Sequence, residues 1–184
     1  MTNTKTAVGS SGRVRVRGPR ESDVDTIAAW LAKADNHRWL DFGGGRQSLD
    51  RITLKIMSRR NAHLLRVFTL ESDDSPVGIV VLTDISRNFK KATLWYLLGD
   101  TRRAGKGCTS RAVSMILAEG FERLGLHSVN AWTVDANVAS IRVLEHNNFQ
   151  LIGRQRQCHF LGGRPHDRLL FDLLASEHIG ILNA

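Results

Sequence analysis

The first patterned segment of the chain alternates basic and apolar side chains, because residues 13–17 read Arg-Val-Arg-Val-Arg. A period of two is typical of a β-strand with one buried face. Apolar runs rich in β-branched and aromatic residues predict three further strands, at residues 64–70, 77–83 and 93–98. Turn-forming residues separate these runs at 73–76 and 86–91. We therefore expect the strands to pair antiparallel through short turns.

Two helices are predicted between the first strand and the second. Ser22 can cap a helix that runs to about Ala34, since a serine hydroxyl accepts a hydrogen bond from an unpaired amide of the first turn. A glycine-rich break at 43–45 precedes a second helix at 49–59.

A third helix follows the strand at 93–98. Its apolar pairs at 112/113, 116/117 and 120/121, with Leu124, form one stripe that faces a core. Gly125 comes next, in the position where glycine commonly ends a helix. A strand at 129–134 then completes a strand–helix–strand crossover.

The last part of the chain predicts a short helix and a hairpin. Ala136 or Asn137 opens the helix, and Asn148 closes it, because asparagine tolerates the left-handed conformation. The predicted hairpin strands flank Gly162-Gly163 and cover residues 151–160 and 167–174.

This order of elements predicts an α/β fold with a mixed, twisted central β-sheet flanked by helices. The chain has 184 residues, enough for one domain with its own core. We expect that domain at residues 13–177. Residues 1–12 are polar and predict a disordered N-terminal tail, and residues 178–184 are expected to form a C-terminal tail.

The segment 97–112 carries the strongest functional signal. An apolar strand stops at Gly99, a basic turn with two glycines follows, and a helix begins. Glycines let backbone N–H groups converge, and a helix start adds unpaired donors and the positive end of a dipole. We therefore expect a site for a phosphorylated cofactor. Gly107 stands where a Walker A loop needs a hydroxyl, so the segment is not a Walker A loop. Ser110 stands where the dinucleotide-binding fingerprint needs its third glycine, which excludes that motif as well.

The turn instead resembles motif A of the GNAT N-acetyltransferases, Gln/Arg-x-x-Gly-x-Gly/Ala, whose amides hold the pyrophosphate of coenzyme A. Two registers fit, one from Arg102 to Gly107 and one from Ala104 to Thr109, and we prefer the second. A later segment, from Asn137 to Phe149, resembles the Asn-x-x-Ser and Leu-Glu motif of the RimJ/RimL-like branch. The resemblance implies acetyl-CoA as the cofactor. The implied cofactor-binding residues are Leu97, Leu98, Gly99, Arg102, Arg103, Ala104, Gly105, Lys106, Gly107, Cys108, Thr109, Ser110, Asn137 and Ser140.

The resemblance also implies the roles of direct acetyl transfer to an amine. A backbone N–H near Leu97 or Leu98 would hold the acetyl carbonyl. Many family members protonate the departing thiolate with a tyrosine, but this chain has Leu144 there, and Ser140 is the candidate substitute. The candidates for the general base are Asp84, Tyr96 and His159, and a water relay would also suffice.

The acceptor pocket is expected near the first two helices, where the family usually builds it. Trp39, Asp41 and Phe42 are the candidate substrate-binding residues, whereas Trp30 fits a helix face that packs in the core. The acceptor would be a primary amine, either a small metabolite such as an amino sugar or a protein N-terminus.

Composition limits the partners. The formal net charge is +8, which favours anionic partners, but coenzyme A accounts for part of it and no nucleic-acid-binding motif is present. Cys108 and Cys158 show neither a disulfide framework nor metal-ligand spacing, so no metal is expected. Apolar runs too short for a bilayer, and a polar start without an apolar leader, predict a cytoplasmic protein without membrane association.

Two other interpretations stay open at the level of sequence. Leu144 in the usual tyrosine position is compatible with a non-catalytic acyl-CoA-binding regulatory module. The net charge is compatible with a basic protein that associates with RNA or the ribosome. The late hairpin and the tail from His178 could also pair with a second copy in a homodimer.

Overall fold

The strands form one mixed, seven-stranded sheet. The structure is a computed structural model that describes residues 13–43 and 46–180. The predicted tail at 1–12, two glycines of the predicted break and the last four residues lie outside the described residues. All neighbouring strands pair antiparallel except for one parallel pair in the middle of the sheet. The predicted α/β fold with a mixed sheet flanked by helices is therefore confirmed.

The described elements follow the predicted order, with one short helix, Ala34–His37, that was not predicted. Their bounds are β1 Val14–Arg17, α1 Glu21–Leu31, α2 Ala34–His37, α3 Arg51–Arg59, β2 Leu64–Leu70, β3 Asp73–Ser86, β4 Lys91–Leu98, α4 Cys108–Ala118, β5 Ser128–Val134, α5 Val138–His146, β6 Gln150–Leu161 and β7 Arg164–Leu174. The strand order in the sheet is β1-β2-β3-β4-β5-β7-β6, and β4 and β5 are the parallel pair. A π-helical turn, Glu119–Arg123, extends α4. No helix in the described ranges is long and apolar enough to cross a bilayer.

Helices cover both faces of the sheet. On one face α4 buries the predicted stripe, including Ala112, Val113 and Ile116, against β-strand side chains. On the other face α1 and α3 pack on the sheet through residues such as Ile27 and Leu54. Side chains alternate along a strand, so β4 contributes to both cores. Removing this apolar surface from water is the main force that holds the layers together.

The parallel junction between β4 and β5 is short. Residues 91–93 of β4 pair in order with residues 128–130 of β5, from Lys91 opposite Ser128 to Thr93 opposite Asn130. Beyond that point β5 pairs with β7 as far as Val134, while β4 continues to Leu98 beside β3 alone. The two strands therefore separate and leave a gap in the middle of the sheet.

Two local predictions were wrong. Ser22 does not cap α1. The N-cap is Arg20, two residues earlier, and the Asp23 carboxylate accepts the Arg20 N–H at 2.7 Å and forms an ion pair with Arg17 at 2.6 Å. A carboxylate that satisfies both a helix-end donor and a guanidinium outcompetes a hydroxyl. The predicted turn at 73–76 belongs to β3, whose Pro76 lies in an irregular stretch between two paired segments, where proline is tolerated.

Other local predictions are confirmed. Asn148 follows α5 with φ +61° and Gly125 follows the extended α4 with φ +65°, as expected for residues that end helices in the left-handed region. Trp30 is 8% exposed and packs beneath Gly99 at the end of β4. A β-carbon on Gly99 would lie 2.1 Å from the Trp30 ring, so this contact requires glycine.

We predict that Gly99→Ala lowers the free energy of unfolding by about 1–3 kcal/mol, because the added methyl overpacks the Trp30 contact. Urea denaturation followed by circular dichroism measures the change. Gly18→Ala is the matched control, since a β-carbon there meets nothing within 4 Å. Equal stability of the two variants would contradict the packing argument.

Candidate functional site

The gap between β4 and β5 opens into a cavity of about 1200 Å³. One wall is formed by the turn before α4 and by α5, and the opposite wall by the segment 35–43 and α3. Both strands contribute to the lining, through residues 93–98 of β4 and 131–133 of β5. The cavity therefore reaches both faces of the sheet through the point where the strands separate.

The turn before α4 presents backbone donors to this cavity. Gly105 and Gly107 have φ of +73° and +70°, and Gly107 directly precedes the first helical residue. In the described part of the chain, five amides of this turn have no acceptor: those of Gly105, Gly107, Cys108, Thr109 and Ser110. Several unpaired N–H groups at a helix N-terminus form a site that suits an anion.

Two other amides of the predicted loop are engaged within the protein. The Ala104 N–H donates to the Thr101 carbonyl at 3.0 Å, and the Lys106 N–H donates to the Arg103 carbonyl at 3.3 Å. The donors that are available to a ligand are therefore centred on Gly107. This agrees with the preferred register of the phosphate motif, in which Gly107 is the first glycine.

The structure brings most of the predicted cofactor-binding residues to the cavity wall. Those that line it are Leu97, Leu98, Arg103, Ala104, Gly105, Gly107, Cys108, Thr109, Ser110, Asn137 and Ser140. Gly99, Arg102 and Lys106 are not part of the wall. Arg102 is turned away, because its guanidinium makes a two-pronged contact with Asp100 at 2.8 and 3.1 Å.

The end of β4 supplies a further backbone donor. The Gly99 N–H donates a hydrogen bond to the Val77 carbonyl on β3 at 2.9 Å. Because N–H groups alternate sides along a strand, the Leu98 N–H points away from β3, into the gap that β5 leaves. Of the two residues expected to hold a carbonyl oxygen, Leu98 has its amide on the cavity side.

Tyr96 and Ser140 meet inside the cavity. The Tyr96 hydroxyl lies 2.7 Å from Ser140 Oγ and 3.1 Å from the Ser140 carbonyl, to which it can donate. Asn137 caps α5 through its side-chain oxygen, which accepts the Ser140 N–H at 3.2 Å. Burial raises the pKa of Tyr96, although the hydrogen bond with Ser140 lowers it in part. A phenol that keeps its proton at neutral pH is suited to donate a proton and unsuited to act as a base.

The other two base candidates have different surroundings. Asp84 lines the far end of the cavity on an exposed irregularity of β3, with φ +52°. Near it, sequence reasoning missed His63, whose Nδ1 lies 2.8 Å from the Thr83 hydroxyl and whose pKa is lowered by burial. His159 is 4% exposed and does not line the cavity, so it is not positioned as a base.

The three predicted substrate-binding residues all line the opposite wall. Phe42 contacts the Trp95 ring edge-on, with the centroids 5.1 Å apart, and the Arg38 guanidinium lies over Trp39. Asp41 accepts hydrogen bonds from Arg168 at 2.6 Å and from the Gly43 N–H at 2.8 Å. The hydrogen bond from Arg168 is the main reason that the pKa of Asp41 is lowered, and the bond from the Gly43 N–H lowers it further. This wall thus combines aromatic rings with an ionised carboxylate.

Sequence reasoning also missed Trp95, Trp132 and Arg168 on this side. Trp95 and Trp132 line the cavity from β4 and β5, and Arg168 lies over the Trp132 ring at 4.2 Å. Their only sequence signal was a place in predicted strands, which does not tell which residues of other strands they face. No group of three or more potential metal ligands occurs in the described ranges.

Comparison with known proteins identifies a family for this chain independently of the geometry of the cavity. Residues 13–150 match the sequence model of the acetyltransferase (GNAT) domain family. The N-acetyltransferase p20 of Bacillus licheniformis is 25% identical over 173 residues, which cover 91% of this chain and 96% of that protein.

Two solved structures share the fold. Spermidine N-acetyltransferase from Vibrio cholerae, in complex with CoA and spermine, has a TM-score of 0.78 at 18% identity, over 90% of this chain and 97% of that chain. Mycobacterium smegmatis RimJ, in complex with CoA-disulfide, has a TM-score of 0.75 at 22% identity, over 91% of this chain and 84% of that chain.

We predict that the Tyr96 phenol ionises only above its ordinary pKa of about 10. Tyr96 is the sole tyrosine of the 184-residue sequence, so phenolate absorbance during alkaline titration reports this group alone. Because the folded pKa exceeds the unfolded one, the stability that the protonated phenol contributes is complete below pH 10 and falls as the pH rises further. The urea-unfolded protein is the control, and a folded midpoint at or below the unfolded one would contradict the burial argument.

Proposed function

Since the chain belongs to the GNAT acetyltransferase family, we propose that it transfers the acetyl group of acetyl-CoA directly to a primary amine. The single observation that carries this proposal is the group of five unpaired amides around Gly107, at the mouth of a cavity that leads to Leu98, Tyr96 and Ser140. We assign residues 13–177 to one acetyltransferase domain.

The residues at the helix N-terminus fit the pyrophosphate of coenzyme A. The amides of Gly107, Cys108 and Thr109 supply donors without a Cβ at the first position, and α4 adds the positive end of its dipole. Arg103 and Arg111 line the same region and add positive charge. Bound there, acetyl-CoA supplies an activated acyl carbonyl and a thiolate leaving group.

Three groups of this chain then act on the acetyl carbonyl and on the leaving sulfur. The Leu98 N–H holds the carbonyl oxygen, as a backbone donor fixed by its strand. Ser140 Oγ donates its proton to the sulfur, and the Tyr96 hydroxyl turns from the Ser140 carbonyl to donate a hydrogen bond to the oxygen that is left. The proton that the amine loses to the base returns to Ser140, so the serine ends the reaction as a hydroxyl. Both hydroxyls are held at a fixed separation by β4 and α5, so little reorganisation is needed.

The acceptor enters from the wall that carries Trp39, Asp41 and Phe42. Aromatic rings and an ionised carboxylate suit a cationic amine before it loses its proton. Asp84, alone or through water, is the proposed base, because it lines the cavity and is exposed. The acceptor is a small metabolite, such as an amino sugar or a polyamine, or a protein N-terminus. A homodimer through the late hairpin stays a prediction.

We predict that Gly107→Glu abolishes acetyl-CoA binding or weakens it at least about a hundredfold, because a carboxylate would replace the anion among the donors. Isothermal titration with acetyl-CoA measures this. Gly125→Glu is the matched control: it places the same side chain at a similar positive φ, just beyond the other end of the extended α4.

The proposal requires wild-type affinity in the Gly125 variant and its loss in the Gly107 variant. Undiminished binding in the Gly107 variant would show that the turn is only structural. RNA binding with steep salt dependence, together with no affinity of the unmodified protein for acetyl-CoA, would replace the transferase with the RNA-associated alternative.

We predict that Ser140→Ala lowers kcat about a hundredfold, as expected for removal of a general acid. Tyr96→Phe should lower kcat by a smaller factor, about tenfold, because Ser140 keeps its proton but loses its hydrogen-bond partner. Free-thiol release with a panel of amines measures both, and unchanged affinity for acetyl-CoA is the control. Full activity of Ser140→Ala would reject its role, and cofactor binding without turnover of any amine would favour the non-catalytic module.

A further inference from the structure

The hairpin of β6 and β7 contains a distortion close to the acceptor side of the cavity. Gln155 pairs with Arg168 and His159 pairs with His166, so three residues of β6 lie opposite Asp167 alone. Gln157, inside this bulge, has φ +51°. Asp167 fixes the bulge, because its carboxylate accepts the Gln157 N–H at 2.8 Å and the Arg154 guanidinium at 3.0 Å.

The bulge shifts the register of β6 by two residues and places His159 opposite His166. β6 is an edge strand, and among its twelve residues, all of them described, His159 alone is buried. In a regular ladder that continued from Gln155 and Arg168, His159 would lie opposite Arg164 instead. The register shift therefore places the imidazole beside the segment that forms the acceptor wall.

His159 and Arg168 attach this segment to the hairpin. Nε2 of His159 lies 2.7 Å from the Arg38 carbonyl, which can only accept, so Nε2 carries the hydrogen and Nδ1 is free to accept. Arg168 Nη2 lies 3.3 Å from that Nδ1 and 2.6 Å from Asp41 Oδ2. The Trp132 ring supports the guanidinium from below at 4.2 Å.

The attachment acts on residues that face the cavity while its own members do not. Asp41 and Phe42 line the cavity, whereas Arg168 and His159 do not. Both attachment points, Arg38 and Asp41, lie within four residues of one another and flank Trp39. The position of the acceptor wall is therefore set by a hairpin more than a hundred residues later in the chain.

We propose that Arg168 and His159 are positioning residues for the acceptor amine. They hold the segment 38–42 against the cavity through the hydrogen bond from His159 to the Arg38 carbonyl and the ion pair of Arg168 with Asp41. This inference rests on the proposed function, because it concerns the amine that receives the acetyl group. It assigns no contact with the cofactor to either residue.

The test compares Arg168→Met with Arg164→Met, which removes an exposed guanidinium at the start of the same strand. The amine is the one acetylated fastest by the unmodified protein among spermidine, glucosamine and an alanine-initiated peptide amide. We expect Arg168→Met to raise the KM of that amine about tenfold to a hundredfold, because a shift of about 1 Å in a positioning group has effects of this size. The affinity for acetyl-CoA should not change.

Three further measurements separate positioning from general destabilisation. Arg168→Lys keeps the charge but loses the fork, so it should restore only part of the amine KM. The double variant Arg168→Met with Asp41→Asn should be no worse than the more affected single variant, since both changes break the same contact. Amide hydrogen exchange in peptides covering residues 36–43 should accelerate in Arg168→Met and His159→Gln, but not in Arg164→Met.

Several outcomes would overturn the inference. An unchanged amine KM in Arg168→Met despite faster exchange would mean that the segment is anchored but does not form the acceptor wall. Equal weakening of amine and acetyl-CoA would indicate a general structural effect. If the unmodified protein neither binds acetyl-CoA nor acetylates any of the three amines, the proposed function fails separately, and unchanged exchange at 36–43 would then reject the anchor as well.

Discussion

The geometry of the site depends on one strand junction, at which β4 and β5 pair over three residues and then separate. β5 stays paired with β7 along its whole length, while β4 stays paired with β3. Backbone groups of β4 that face the gap, such as the Leu98 N–H, therefore lack a strand partner. Interior backbone donors without partners are costly, so such a gap favours water or a ligand that accepts hydrogen bonds. The same separation opens a path between the two faces of the sheet.

The anion site at the start of α4 depends more on the main chain than on basic side chains. Arg102 and Arg103 are both drawn towards Asp100, at 2.8 and 3.8 Å. The glycine conformation at Gly107, by contrast, leaves consecutive amides of the first helical turn without partners. Fixed backbone dipoles need no reorganisation when an anion arrives, whereas a paired guanidinium must first leave its carboxylate. The positive net charge of the chain is therefore a weaker guide to this site than the spacing of its glycines.

The side of the cavity proposed to bind the cofactor could be predicted from the sequence because its parts are local. The strand, the glycine turn and the helix start follow one another within 97–110, and Asn137 caps the turn of α5 that contains Ser140. Periodicity also located the core stripe of α4. The prediction for Ser22 failed because the cap is decided by Arg17, which reaches Asp23 from β1. Pairings of this kind depend on the fold and leave no mark in the local pattern.

The acceptor side could be predicted only in part, for the same physical reason. Trp39, Asp41 and Phe42 were expected there, but Arg168 joins Asp41 over 127 positions of sequence, and His159 reaches Arg38 over 121. The bulge shifts the register of β6 by two residues, and nothing in the local pattern indicates that shift. The same local sequence in a regular ladder would place this histidine opposite Arg164.

The two sides of the site meet at β4, whose neighbouring residues point to opposite faces. Tyr96 extends towards Ser140 on α5, and Trp95 extends towards Phe42 on the acceptor wall. A donor bound along one face and an amine bound along the other would thus approach each other at the open edge of this strand, next to the Leu98 N–H. Because the segment 38–42 is held by the hairpin and the turn around Gly107 leads directly into α4, the two walls of the cavity have separate supports. In the proposed function, this separation lets a constant cofactor site lie beside an acceptor site built from distant parts of the chain.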